Sequence, residues 1–153
     1  MATIIVPSAI PTLSVGGRVF TDLANLLTLS GYCAGGASPR TSFRKPATSA
    51  GYAPSGKTFV VKAIRLNTAT TAAASPLSIF YSDNDCGIGS ATAATNQVYM
   101  AGASSVASLS QGAWVVATTY EFALNFVIPA GKFVGMENGG TFSAPITIFG
   151  YEV

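Results

Sequence analysis

The sequence predicts an all-β fold: an antiparallel β-sandwich or jelly-roll-like domain with an extended N-terminal segment. Three observations lead to this prediction. Apolar and polar residues alternate through the C-terminal two-thirds of the chain, turn residues recur at short intervals, and the Glu, Lys and Gln that fill exposed helix faces are scarce. We expect an extended segment over residues 1–50, packed on the domain or on neighbours, and a sandwich over residues 51–153.

Short apolar runs rich in β-branched and aromatic residues predict the strands. The clearest run covers residues 119–128, where Tyr120, Phe122, Leu124, Phe126 and Ile128 share one face. Further strands are predicted at 58–66, 77–81, 97–100, 113–117, 132–137 and 146–151. Over residues 22–29 the pattern fits a strand and a short helix capped by Thr21 or Asp22 equally well.

Proline and glycine interrupt every apolar run before about residue 50, which predicts an extended, wrapping segment. Its apolar side chains are the candidate residues for contact with neighbouring molecules. These are Ile4, Ile5, Val6, Ile10, Leu13 and Val15.

The composition favours assembly over chemistry. Only 9% of the residues are charged, 49% are hydrophobic and the net charge is +2, whereas about a quarter of a typical soluble domain is charged. A surface so poor in charge suits contact with other protein. We expect no nucleic-acid partner, because the few bases form no stripe, and no membrane span, because no apolar run approaches about 18 residues.

The chain contains no histidine, so the usual general base and zinc ligand are missing. We therefore expect no enzyme, no catalytic residue, no metal and no cofactor. No secretory leader follows Met1, so export by that route is not expected. Cys33 and Cys86 could pair, although free thiols in a reducing compartment are the simpler interpretation.

Residues 51–58 match the phosphate-binding pattern G-x-x-x-x-G-K-[ST] letter for letter. The motif needs a buried strand before it and a helix after it. Here the preceding residues form no such strand, Pro54 removes one N–H donor, and the residues after Thr58 are typical of a strand. The sequence therefore predicts a turn that leads into a strand.

Asp83, Asn84 and Asp85 resemble the beginning of a calcium loop. The closing glutamate is missing, because Ala94 occupies the twelfth position, and no helices flank the segment. Asp and Asn also form Asx turns with their own backbone. We expect a loop between strands rather than a metal site.

Four segments together resemble the small β-sandwich virion proteins of tailed bacteriophages, and most closely the capsid decoration, or cement, proteins. They are residues 57–65, 75–85, 120–133 and 146–152. The resemblance implies a virion structural protein, made in the host cytoplasm, that binds the major capsid protein on the capsid surface as a homotrimer. It also implies that deletion of residues 1–20 abolishes attachment while the sandwich stays folded. The alternative is a tail-associated or receptor- and glycan-binding module that uses Trp114 and the tyrosines.

Overall fold

The computed structural model describes residues 11–33, 40–69, 72–73, 77–88, 92–100, 113–138 and 143–153. Within these ranges there is no helix, and all strand pairs are antiparallel. The strands are β1 (Leu13–Val15), β2 (Arg18–Phe20), β3 (Leu27–Cys33), β4 (Arg40–Ser42), β5 (Phe59–Asn67), β6 (Ala72–Ala73), β7 (Leu77–Ser82), β8 (Val98–Tyr99), β9 (Ala113–Trp114), β10 (Thr119–Ile128), β11 (Phe133–Asn138) and β12 (Ala144–Glu152).

Two four-stranded sheets form the body of the molecule. Sheet I has the order β10-β5-β12-β3, and sheet II has the order β4-β11-β7-β8. When these eight strands are taken in chain order, the first pairs with the last (β3 with β12) and the second with the seventh (β4 with β11). The third pairs with the sixth (β5 with β10), and the fourth with the fifth (β7 with β8). This nesting is the double Greek key of a jelly roll. The all-β, antiparallel fold class predicted from the sequence is confirmed.

The main core lies between the two sheets. Its largest fully buried side chains include Phe43, Phe59, Leu29, Ile64 and Ile79. The predicted inward face of β10 is confirmed, because its even-numbered residues pack on this core while the odd-numbered residues between them are exposed. Burial of such side chains contributes about 1.5–3 kcal/mol each, so the interior between the sheets is the main source of stability.

Backbone and ring contacts join the sheets at their two sides. At one side the backbones of Ser30 and Arg44 exchange two hydrogen bonds, of 2.8 and 2.9 Å, between β3 and the residues that follow β4. At the other side, where β7 faces β10, the rings of Tyr81 and Phe126 stack with centroids 5.8 Å apart. The two sheets are therefore joined at both of their sides as well as through the core.

A second, smaller core covers the outer face of sheet I. The β1–β2 hairpin packs Val15 and Phe20 against Ala63 and Phe149. Ala63 reaches this outer face because Lys62 is an extra residue on β5, so the side-chain alternation shifts by one position there. The hairpin is thus part of the folded domain.

The predicted extended segment contributes to both sheets. Leu27–Cys33 pairs with β12, and Arg40–Ser42 pairs with β11, so these two strands, which precede residue 50, are part of the sandwich itself. The open question at residues 22–29 is settled in favour of a strand, which begins at Leu27. Asp22 caps a turn instead, since its carboxylate accepts a hydrogen bond from the Asn25 side chain at 3.0 Å.

Candidate functional site

All six side-chain carboxylates of the chain are engaged in hydrogen bonds within the molecule. Among the aspartates, Asp22 binds Asn25, Asp83 binds Lys132 and Asn96, and Asp85 binds two backbone N–H groups. Among the glutamates, Glu121 binds Arg65 and Gly16, Glu137 binds Arg40, Gln97 and Tyr99, and Glu152 binds Tyr52. These hydrogen bonds hold loops and strands together, while Asp22 and Glu152 also line open clefts at the surface.

The loop that carries the phosphate-binding pattern is occupied by the chain's own carboxylate. Asp85 Oδ2 accepts from the Gly51 N–H at 2.7 Å, and Asp85 Oδ1 accepts from the Gly87 N–H at 2.8 Å. Burial by itself would raise the pKa of Asp85, yet these hydrogen bonds, together with Ser42 and the charge of Arg44, hold that pKa below its usual value. The anion at this loop is therefore a protein side chain.

What surrounds that loop also differs from a phosphate cradle. The Tyr52 N–H donates to the Phe43 carbonyl at 2.7 Å, and β5 begins at Phe59 without a helix after Lys57. The prediction of a turn that leads into a strand is confirmed.

The loop after β7 is an Asx turn, as predicted. Asp85 accepts from the N–H two residues ahead, and Asn84 bridges the Ala93 carbonyl and the Thr95 N–H at 3.0 and 2.7 Å. Asp83 forms an ion pair with Lys132. In the parts of the chain that the structure describes, no three Asp, Glu, His or Cys side chains gather as a metal site would require.

A polar network lies on the outer face of sheet II around Glu137. Its carboxylate accepts from the Tyr99 hydroxyl at 2.5 Å, from Gln97 at 3.1 Å and from Arg40 at 3.2 Å. Burial, followed by the hydrogen bond to Glu137 and its charge, raises the pKa of Tyr99 to about 12. The phenol therefore stays protonated at physiological pH and acts as a donor that fixes β8 onto the sheet.

Cys86 is a buried, free thiol. Burial raises its pKa, and its N–H donates to the Ser42 hydroxyl at 2.9 Å. A thiol with a raised pKa is a poor nucleophile, so Cys86 serves as a core residue rather than a reactive group.

The basic side chains are less completely paired than the acidic ones. Arg40, Arg65 and Lys132 form ion pairs. Two of the remaining five, Lys45 and Lys57, line a cleft of about 470 Å³ together with Thr48, Ser55, Tyr52 and Glu152. This concave feature is called the Lys45–Lys57 cleft.

The candidate contact residues of the N-terminal segment fall into two groups. Ile4, Ile5, Val6 and Ile10 lie outside the described residues. Val15 is completely buried in the second core of its own chain, and Leu13 packs beside it, half-buried. Trp114 pairs with Ala72 through its backbone in the short β6–β9 ribbon.

Sequence reasoning missed the Lys45–Lys57 cleft and the engagement of all the carboxylates. The partial signal was the local basic cluster formed by Arg40, Arg44 and Lys45. Lys57 lies at the far end of the same connection between β4 and β5, and hydrogen bonds such as that from the Tyr52 N–H to the Phe43 carbonyl fold this connection back on itself.

Comparison with known proteins gives no relative: no protein family, curated protein or solved structure matches this chain. Across the described ranges, no helix has the length and apolar character needed to cross a bilayer.

Proposed function

We propose that this chain is a structural subunit of a bacteriophage virion, a capsid decoration or cement protein that binds and stabilises the major capsid lattice. The observation that carries the proposal is the state of its charges. The chain has only six carboxylates, and each of them is bound within the molecule. The exterior thus has few charges that would lose solvation in an interface.

Exposed apolar side chains support the same conclusion. Val115, Val116 and Val127 are each 50% exposed, and Val19 is 60% exposed. Single exposed apolar residues are ordinary, but a surface that combines them with so few charges favours contact with other protein. A specific interface buries about 1,600 Å² in total, and repetition around a closed shell multiplies the effect of each contact.

The fold is compatible with this role. Jelly rolls recur in viral capsid domains and in lectins, although a fold alone does not determine function. In the proposed mechanism a homotrimer sits over junctions between major capsid subunits and clamps them together, without a cofactor or nucleic-acid contact. The residues before Leu13, with Ile4, Ile5, Val6 and Ile10, would reach the neighbouring subunits.

The experiment is to purify assembled particles that contain the chain, and to measure its copy number and position by mass spectrometry and electron microscopy. The proposal expects many symmetry-related copies on the capsid surface. A few copies confined to the tail would contradict it and favour the alternative, a tail-associated receptor- or glycan-binding module. Glycan binding that is lost in Trp114→Ala would point the same way.

A matched pair of truncations tests the N-terminal contact. Because Val15 and Phe20 belong to the second core, deletion of residues 1–20 would disturb the fold, so the useful truncation removes residues 1–10. We expect that variant to stay folded and to lose attachment to capsids that lack the protein. Full attachment by the truncated chain would refute the role of the segment.

A further inference from the structure

We propose that copies of this chain associate head to tail, with a basic cleft of one copy, at Arg44 and Lys45, against an acidic cleft of the next, at Asp22 and Glu152. The inference rests on the proposed function in one respect, because this contact would hold the proposed homotrimer together. The clefts, their charges and their hydrogen bonds are independent of that function.

Three clefts form a continuous row on the surface, with the Lys45–Lys57 cleft in the middle. On one side a cleft of about 670 Å³ continues from it, because Lys57 and Glu152 line both, and this acidic cleft adds Asp22. On the other side a cleft of about 310 Å³ shares Lys45, and this basic cleft adds Arg44. The charged side chains therefore change sign from one side of the row to the other.

The acidic cleft has an excess of carboxylate. Asp22 and Glu152 line it together with one ammonium group, that of Lys57. The two carboxylates accept hydrogen bonds from neutral groups, the Asn25 side chain and the Tyr52 hydroxyl, and neither forms an ion pair with any described residue. Because neutral donors leave the negative charge in place, a cation of another molecule can still pair with these carboxylates.

The basic cleft has the opposite excess. Arg44 and Lys45 line it, and its described lining includes no carboxylate. Neither forms an ion pair within the described ranges, and Arg44 Nε is buried without a hydrogen-bond partner there. Asp85 balances part of this charge, since Arg44 helps to lower its pKa, but backbone N–H groups hold its carboxylate. Two cations thus share at most one carboxylate.

Carboxylates elsewhere in the molecule are neutralised in a different way. Asp83, Glu121 and Glu137 each form an ion pair with a basic side chain of another strand or loop. Among the basic residues, Arg18 and Lys62 also lack an ion pair in the described chain, but they lie on the hairpin and on sheet I. Unpaired charges of both signs therefore occur together only along the row of clefts, as far as the structure describes the chain.

A second copy of this chain is the occupant that fits such a row. The basic side of one copy supplies the cations that the acidic side of another lacks, so the surface is complementary to itself. A nucleic acid or another polyanion would meet the carboxylates of Asp22 and Glu152. A contact between two different surfaces is heterologous, and its repetition closes a ring, which is the symmetry of a homotrimer.

Exposed apolar side chains accompany the charges on both sides. Ile88 and Tyr32, 51% and 42% exposed, line the basic cleft, and Val153, 71% exposed, lines the acidic cleft. Protein interfaces combine an apolar centre with a polar rim. Each side of the row thus offers both parts of an interface.

The test reverses one exposed charge on each side, in Lys45→Glu and in Asp22→Lys, and measures association by sedimentation velocity over a range of concentrations. We expect each variant to weaken association about tenfold, because an exposed attraction worth a few-fold is replaced by a repulsion of similar size. The effect should shrink at high salt. The matched control is Lys62→Glu on sheet I, where Lys62 Nζ donates to Asn125 Oδ1 at 2.9 Å.

Mixing the two variants tests the head-to-tail arrangement itself. The Asp22→Lys copy keeps its basic side and the Lys45→Glu copy keeps its acidic side, so the pair can form one intact contact. We expect the 1:1 mixture to form a heterodimer at concentrations where either variant alone is monomeric.

Three results would overturn the inference: a wild-type chain that stays monomeric, a loss in the two variants no larger than in Lys62→Glu, or a mixture that associates no better than its components. Thermal unfolding of each variant checks that the fold is intact. Copy number and position in the particle are measured separately, so the proposed function survives a failure of this contact. A wild-type dimer with the same charge dependence would support the contact and contradict only the trimer.

Discussion

The carboxylate of Asp85 occupies the space that a side chain at Gly51 would need. A Cβ built at Gly51 would lie 2.6 Å from Asp85 Oδ1, while Asp85 Oδ2 accepts the Gly51 N–H at 2.7 Å. The contact joins the loop before β5 to the loop after β7, and so couples sheet I to sheet II outside the core. Glycine is required there by this close approach, not by phosphate binding.

Gly51→Ala should therefore destabilise the protein. The added methyl group must push the Asp85 carboxylate off its two N–H donors, and we expect a loss of about 1–3 kcal/mol in the free energy of unfolding by urea. Ser55→Ala, an exposed change in the same loop, is the control and should stay within about 0.5 kcal/mol of the wild type. Equal stability of the two variants would show that the Asp85 contact is unimportant.

The stability of the protein should fall in acid partly through Asp85. Its pKa is lowered in the folded state, so its contribution is present above the unfolded value of about 3.9 and is lost as pH falls through the folded pKa. We expect Asp85→Asn to lower the free energy of unfolding by about 1 kcal/mol at pH 7. The difference should shrink as pH falls through the folded pKa, where the Asp85 carboxyl takes up a proton. A difference that stays constant with pH would contradict this assignment.

The hairpin should matter to folding because of its inward residues alone. Phe20 is 3% exposed in the second core, whereas Val19 beside it is 60% exposed. Phe20→Ala should cost about 3–5 kcal/mol, and Val19→Ala less than about 0.5 kcal/mol, in chemical denaturation. If Phe20→Ala leaves the free energy of unfolding unchanged, the hairpin does not contribute to the stability of the domain. A truncation that removes residues 1–20 would then also be expected to fold.

Much of the sandwich could be predicted from the sequence because its strands alternate locally. The side chains of β10 show this best, since Phe122 and Phe126 point to the core and Glu121 away from it, as the period of two requires. The flanks of residues 51–58 likewise predicted a turn and a strand. The nested strand order needed the structure, because it depends on pairings between residues far apart, such as Ile148 with Leu29.

The N-terminal strands and the site could not be predicted for physical reasons. Gly31 lies within β3, and glycine is favoured there because the Phe43 ring lies 3.1 Å from where its Cβ would be. A glycine that suggests a strand break in the sequence is thus required for close packing in the fold. The Lys45–Lys57 cleft arises where the connection between β4 and β5 folds back on itself, and such a fold has no periodic signal in a sequence.

The central claim is that this chain is built to be covered by neighbours in an assembly. Native mass spectrometry of the full-length recombinant protein, across a range of concentrations, tests it most directly. The account predicts a homotrimer, at three times the 15.6 kDa of the single chain. A monomer of 15.6 kDa at every concentration would contradict it.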